Sequence, residues 1–116
     1  MQRIIKAFFS SMAGFKFGLT RETAVQQEAV LFVIAAVVAP FITTDPWKLL
    51  AMLGSVALML VVELLNTGLE KLADKVTLKR DPLIGVAKDC GSAAVFVSIL
   101  ITAAVWLLVI AERFMA

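Results

Sequence analysis

The sequence predicts an all-α membrane protein, with three transmembrane helices and an N-terminal amphipathic surface helix. Three observations carry this. The 116 residues are 61% hydrophobic, more than a soluble domain of this length would hold. The apolar residues fall in long blocks, with residues 29–44, 49–62 and 90–111 free of charge. Between and before the blocks lie clusters of Lys and Arg.

The N-terminal segment, residues 2–21, comes first. Ile5, Phe8, Phe9, Met12, Phe15 and Leu19 share one helical face, with Arg3, Lys6, Ser10, Ala13 and Gly14 largely opposite. A cationic helix of this kind lies in the bilayer interface, or packs as an anchor on the protein's own spans; the two roles are compatible. Lys16, Arg21 and Glu22 follow too early for the apolar core of a secretory leader.

The first span is read as residues 26–43, from polar Gln26, Gln27 and Glu28 toward Pro40 and a Thr43–Asp45 turn. Pro46 suits the first turn of a new helix with Asp45 or Thr44 as its cap. The second span is read as residues 47–69. Its uncharged part, 49–62, makes only about 21 Å of helix against a hydrocarbon core of ~30 Å, so the span continues through Glu63 and Asn66. Residues 70–87 are read as a loop region and 89–111 as the third span. Trp47 and Trp106 are read as interfacial anchors, and Gly68, Gly91, Ser92 and Ala93 as residues that let helices approach. The lone Cys90 excludes an intramolecular disulfide and is read as a small packing residue.

Charge sets the orientation. Arg3, Lys6, Lys16 and Arg21 precede the first span, and Lys71, Lys75, Lys79, Arg80 and Lys88 lie between the second and third. The positive-inside rule places the N-terminus and the 70–87 region in the cytoplasm and, after three crossings, the C-terminus in the periplasm. The net charge of +2 is too small to argue for nucleic acid as a partner.

The functional signal is a polar row. Glu63, Asn66, Glu70 and Asp74 are spaced three, four and four apart, which puts them on one face of a helix. A carboxylate at membrane depth costs roughly 2.5–3.5 kcal/mol on insertion scales, so Glu63 marks a functional site. Glu22 and Glu28 add carboxylates near the same border. Lys88 is read at the N-terminus of the third span, where unpaired N–H groups and the helix dipole suit phosphate. Carboxylates with such a lysine fit a Mg²⁺–nucleotide site. Blander readings stand beside these: Asp74 as juxtamembrane charge, Lys88 as a positive-inside anchor, Asn66 as interhelical glue. Histidine is absent, so any base is Asp, Glu, Lys or Cys90. The residues by themselves leave an ion-coupled carrier subunit open.

The stretch Glu63-Leu64-Leu65-Asn66-Thr67-Gly68-Leu69-Glu70, with Asp74 after it, resembles the signature of the prokaryotic diacylglycerol kinase family. Ala87-Lys88-Asp89-Cys90-Gly91-Ser92-Ala93-Ala94-Val95 resembles that family's second motif, and Arg3-Ile4-Ile5-Lys6-Ala7 and the Glu22–Glu28 spacing also fit. The resemblance covers nearly the whole chain. It implies an inner-membrane enzyme: a homotrimer with shared active sites that phosphorylates diacylglycerol with ATP and Mg²⁺. It makes Glu70 the general base. It gives the metal to Glu22 and Glu70, the γ-phosphate to Lys88, and the orientation of the catalytic groups to Glu63 and Asn66. Asp74 and Asp89 would contact the nucleotide ribose, and Ser11 and Arg3 would help hold the nucleotide. One departure is Asp81-Pro82-Leu83, where family members often carry a His; Lys79 or Arg80 is the candidate substitute for its phosphate contact. The resemblance also leaves undecaprenol as an alternative substrate. The Gln26-Gln27-Glu28 and Lys88–Ser92 stretches look closer to the diacylglycerol branch.

Overall fold

The computed structural model describes residues 1–115. Four helices follow one another: α1 (Gln2–Arg21), α2 (Thr23–Ile42), α3 (Pro46–Val76) and α4 (Pro82–Met115). The last three are long and apolar enough to cross a membrane. Helix α3 is central: α2 and α4 pack along it, and α1 touches it at one end.

The helices outrun the apolar blocks that announce them. The 31 residues of α3 make roughly 46 Å and the 34 of α4 roughly 51 Å, against ~30 Å of hydrocarbon. The region expected as a loop over 70–87 is therefore mostly helix, and the connector shrinks to residues 77–81. Hydropathy marks where the membrane ends, whereas propensity and capping mark where a helix ends. Glu70-Lys71-Leu72-Ala73 are good helix formers, and Ala73 is buried. The first span likewise starts early, at Thr23, and stops at Ile42, because Thr43 is extended (φ −147°, ψ 151°).

Both proline-started helices are capped by aspartate. Asp45 Oδ1 accepts the Trp47 N–H at 2.9 Å, as its place before Pro46 predicts. Asp81 Oδ1 accepts from the N–H groups of Leu83 (2.9 Å) and Ile84 (3.1 Å). Asp81 thus has a structural task as the cap of α4. Asp81→Ala should lower stability by about 1 kcal/mol without unfolding the helices. Thermal unfolding in detergent checks this, and an unchanged midpoint would show that the cap contributes nothing.

Only Glu22, extended at φ −118° and ψ 115°, separates α1 from α2. The corner is tight because Gly18 is buried there. A Cβ on Gly18 would come within 2.9 Å of Val25 Cγ1 and 3.2 Å of Leu64 Cδ2. Gln26 Nε2 closes the corner by donating to the Leu19 carbonyl at 3.0 Å.

Helices α3 and α4 run antiparallel in a register that polar contacts hold from end to end. Trp106 Nε1 donates to the Met52 carbonyl at 3.1 Å, and the Thr102 hydroxyl reaches the Ser55 carbonyl at 3.0 Å. Further along, Gly91 lies against Asn66, and Lys88 pairs with Asp74. Ala39, Met52 and Val109 form the core near the α2–α3 turn, with Trp106 packed on them. Trp106 is therefore pinned between helices and is not an interfacial anchor, whereas Trp47 is exposed. Cys90 is exposed as well, contrary to the packing role expected for it. Large apolar faces of α2 (Val30, Val33, Val37) and α4 (Phe96, Leu107, Leu108) point outward, as hydrocarbon solvent permits.

Candidate functional site

The polar row forms as its spacing requires, on the α3 half nearest the connector. Glu63 and Asn66 are buried, at 9% and 8% exposure, so they face protein and not lipid. Glu70 and Asp74, one and two turns on, are exposed. Asn66 Nδ2 donates to Glu70 Oε1 at 3.2 Å, an i,i+4 bond along one face that orients the carboxylate.

The α1–α2 corner brings a second carboxylate to this row. Glu22 Oε1 pairs with Lys71 Nζ at 3.0 Å, and the same ammonium lies 5.8 Å above the Phe17 ring. Lys71 also stands within electrostatic range of Glu70 and Asp74. Glu63 is within such range of Glu22 and Glu70, and also of Glu28 on α2. Four carboxylates from three parts of the chain thus gather along two turns of α3. Glu28 holds a place in this group, with Oε2 buried and unpartnered among the described residues, although the sequence reading gives it no role. Its signals in the sequence were its place among the carboxylates at the border of the first span and its spacing from Glu22.

Lys88 comes from α4. Its ammonium pairs with Asp74 Oδ1 at 2.8 Å. The expectation that Lys88 sits at a helix N-terminus is overturned. It lies nearly two turns inside α4, and the free N–H groups at the true start are those that Asp81 caps. Lys88 therefore offers an anion its charge alone. The Lys88–Asp74 pair is solvent-exposed and the Lys71–Glu22 pair half-exposed, and pairs this open to water contribute little, so an incoming ligand can open them.

The remaining predicted residues lie around the edge. Ser11 bonds its own helix at the Ala7 carbonyl (2.8 Å). It also lines a cavity of about 370 Å³ between α1 and α3, shared with Gly14, Phe15, Gly18, Leu64 and Gly68. Arg3, in the first turn of α1, and Asp89, beside Lys88, are exposed. Sequence reasoning missed Gly18 and Thr67 in this wall; the four-residue spacing of Gly14 and Gly18 was the available signal.

Among the described residues, no three metal-binding side chains converge on a point. A cation here would take one or two carboxylates and complete its shell with ligand oxygens and water, as Mg²⁺ does. Glu22 and Glu70 could supply such carboxylates, since both lie within range of the same ammonium, Lys71, which a cation would have to displace. The arrangement can hold a cation, meet an anionic phosphate with Lys88, and accept a proton at Glu70.

A family model described as prokaryotic diacylglycerol kinase matches residues 9–110. Among curated proteins, the Escherichia coli K12 diacylglycerol kinase is 34% identical over 97% of this chain and 92% of its own length. The Pseudomonas aeruginosa diacylglycerol kinase is 37% identical over 91% and 86%. That of Haemophilus influenzae is 33% identical over 91% and 90%.

Proposed function

The chain belongs to the prokaryotic diacylglycerol kinase family, and on that premise we propose that it transfers the γ-phosphoryl group of ATP to the hydroxyl of diacylglycerol. The product is phosphatidic acid, and the site is at the cytoplasmic face of a bacterial inner membrane. The observation that carries this is the Glu63–Asn66–Glu70 row, buried at one end and open at the other, where a membrane-spanning helix leaves the bilayer.

Phosphoryl transfer asks mainly for positioning and charge neutralisation. Glu70, held by Asn66, accepts the proton of the lipid hydroxyl at interface depth. Glu22 and Glu70 are the residues that would hold Mg²⁺, which when bound neutralises charge on the ATP phosphates. Lys88, released from Asp74, meets the γ-phosphate. Asp74 and Asp89 would contact the ribose, and Arg3 and Ser11 would help hold the nucleotide. The apolar cavity between α1 and α3 suits a lipid chain entering from the bilayer. Helix α1 lies along the membrane surface, and its exposed Phe8, Phe9 and Met12 dip among the acyl chains. We further propose a homotrimer whose active sites are shared between subunits. The most apolar stretch of α4 is only 11% buried in one subunit, and Glu70 and Asp74 stand open where a neighbour can complete the site.

The test is phosphate transfer in mixed micelles with MgATP, comparing diacylglycerol and undecaprenol at equal surface concentration. Faster transfer to diacylglycerol is expected. A preference for undecaprenol would overturn the substrate, and no transfer to either would leave the carrier reading.

A further inference from the structure

We infer that Gly91 is a positioning residue for the catalytic carboxylate, acting through Asn66. Nothing in its backbone calls for glycine, because no glycine in the chain has a positive φ and Gly91 lies inside α4. A glycine within a helix costs roughly 0.5–1 kcal/mol relative to alanine, so its presence needs another reason. Space supplies one. Gly91 is buried, and a Cβ built on it would overlap Asn66 Oδ1 and come within 3.2 Å of Asn66 Cγ and 3.1 Å of Leu69 Cδ2. The amide of Asn66 thus occupies the space that a side chain at position 91 would take.

This seat fixes which way the amide faces. With Oδ1 turned to Gly91, Nδ2 is the atom presented to Glu70, and the 3.2 Å bond follows. Oδ1 is buried with no donor among the described residues, an arrangement that costs free energy and persists because the packing leaves no alternative. Helix α4 therefore contributes more to the site than Lys88: its bare backbone at Gly91 holds the residue that aims the base. A methyl group there pushes the amide out, and the Glu70 carboxylate loses its orienting donor. Gly68 gives the contrast, since a Cβ on it meets nothing within 4 Å.

The inference rests on Glu70 being the base, and the experiment separates the two. Compare the parent, Gly91→Ala, Asn66→Ala and the double variant for kcat, for the KM of ATP and diacylglycerol, and for thermal unfolding. Gly91→Ala should lower kcat by roughly tenfold to a hundredfold, with both KM values changed less than about threefold, the mark of a misplaced group. In the Asn66→Ala background the same substitution should have almost no further effect, because its target is gone. Parent-like kcat in Gly91→Ala overturns the inference, as does an equal loss with and without Asn66, which would make Gly91 a packing residue only. Should Gly91→Ala fail to assemble, the double variant must assemble if the amide is the obstacle, and its failure too would overturn the inference. If Glu70→Gln were active, the reading beneath would fail instead.

Discussion

Glu70→Gln should give a folded membrane protein with at least ~10³-fold less lipid kinase activity, toward the upper part of the range for a catalytic base. The substitution keeps the size of the side chain and an oxygen that can still accept from Asn66, so the α3 row stays assembled. It removes what the chemistry needs: an anionic oxygen basic enough to take the hydroxyl proton, and one of the two carboxylates placed to hold a cation. Glu70 is exposed, so the change exposes no buried group to a lost partner. Circular dichroism and the sedimentation of the purified variant should match the parent while transfer to diacylglycerol falls to background. Parent-like turnover would remove Glu70 from the mechanism.

Lys88→Ala should lower kcat by about 10²–10³-fold, the loss typical of removing one group that stabilises developing charge. The diacylglycerol KM should hardly move. Lys88 is tied to Asp74, in an exposed pair that holds it near the Glu70 turn without committing it there. Measuring the dependence on ATP and on lipid separately decides the matter. If the lipid KM alone changes, the ammonium is an anchor at the membrane border and its role on the γ-phosphate fails.

Three helices long and apolar enough to span a membrane, a helix before them and the α3 row were legible because each rests on a periodicity or a run that the chain states directly. Asp45 before Pro46 was equally plain. Helix ends were not. The sequence reading bounded the second span at residue 69 by charge, but α3 ends at Val76, before Thr77 and its connector. Charge likewise set the start of the third span at residue 89, but α4 begins at Pro82, so Lys88 was placed at a helix start it does not occupy. Trp106 was misread for a related reason: a tryptophan near the end of an apolar run looks interfacial until a carbonyl on another helix, that of Met52, is known to face it. Gly91 was seen as a small residue for close packing, but what packs on it, the amide of Asn66, is a pairing between helices that local patterns do not encode.

The single extended residue between α1 and α2 has a mechanical consequence. A joint one residue long has no slack, and here the residue at the joint is Glu22. Any tilt of α1 must therefore swing that carboxylate relative to α3, with Gly18 as the pivot against Val25 and Leu64. With α1 floating on the bilayer as proposed, the waterline of the membrane would set the height of one proposed cation ligand, while the second, Glu70, rides on a helix long and apolar enough to span the bilayer. A thicker or thinner membrane would change the gap between them.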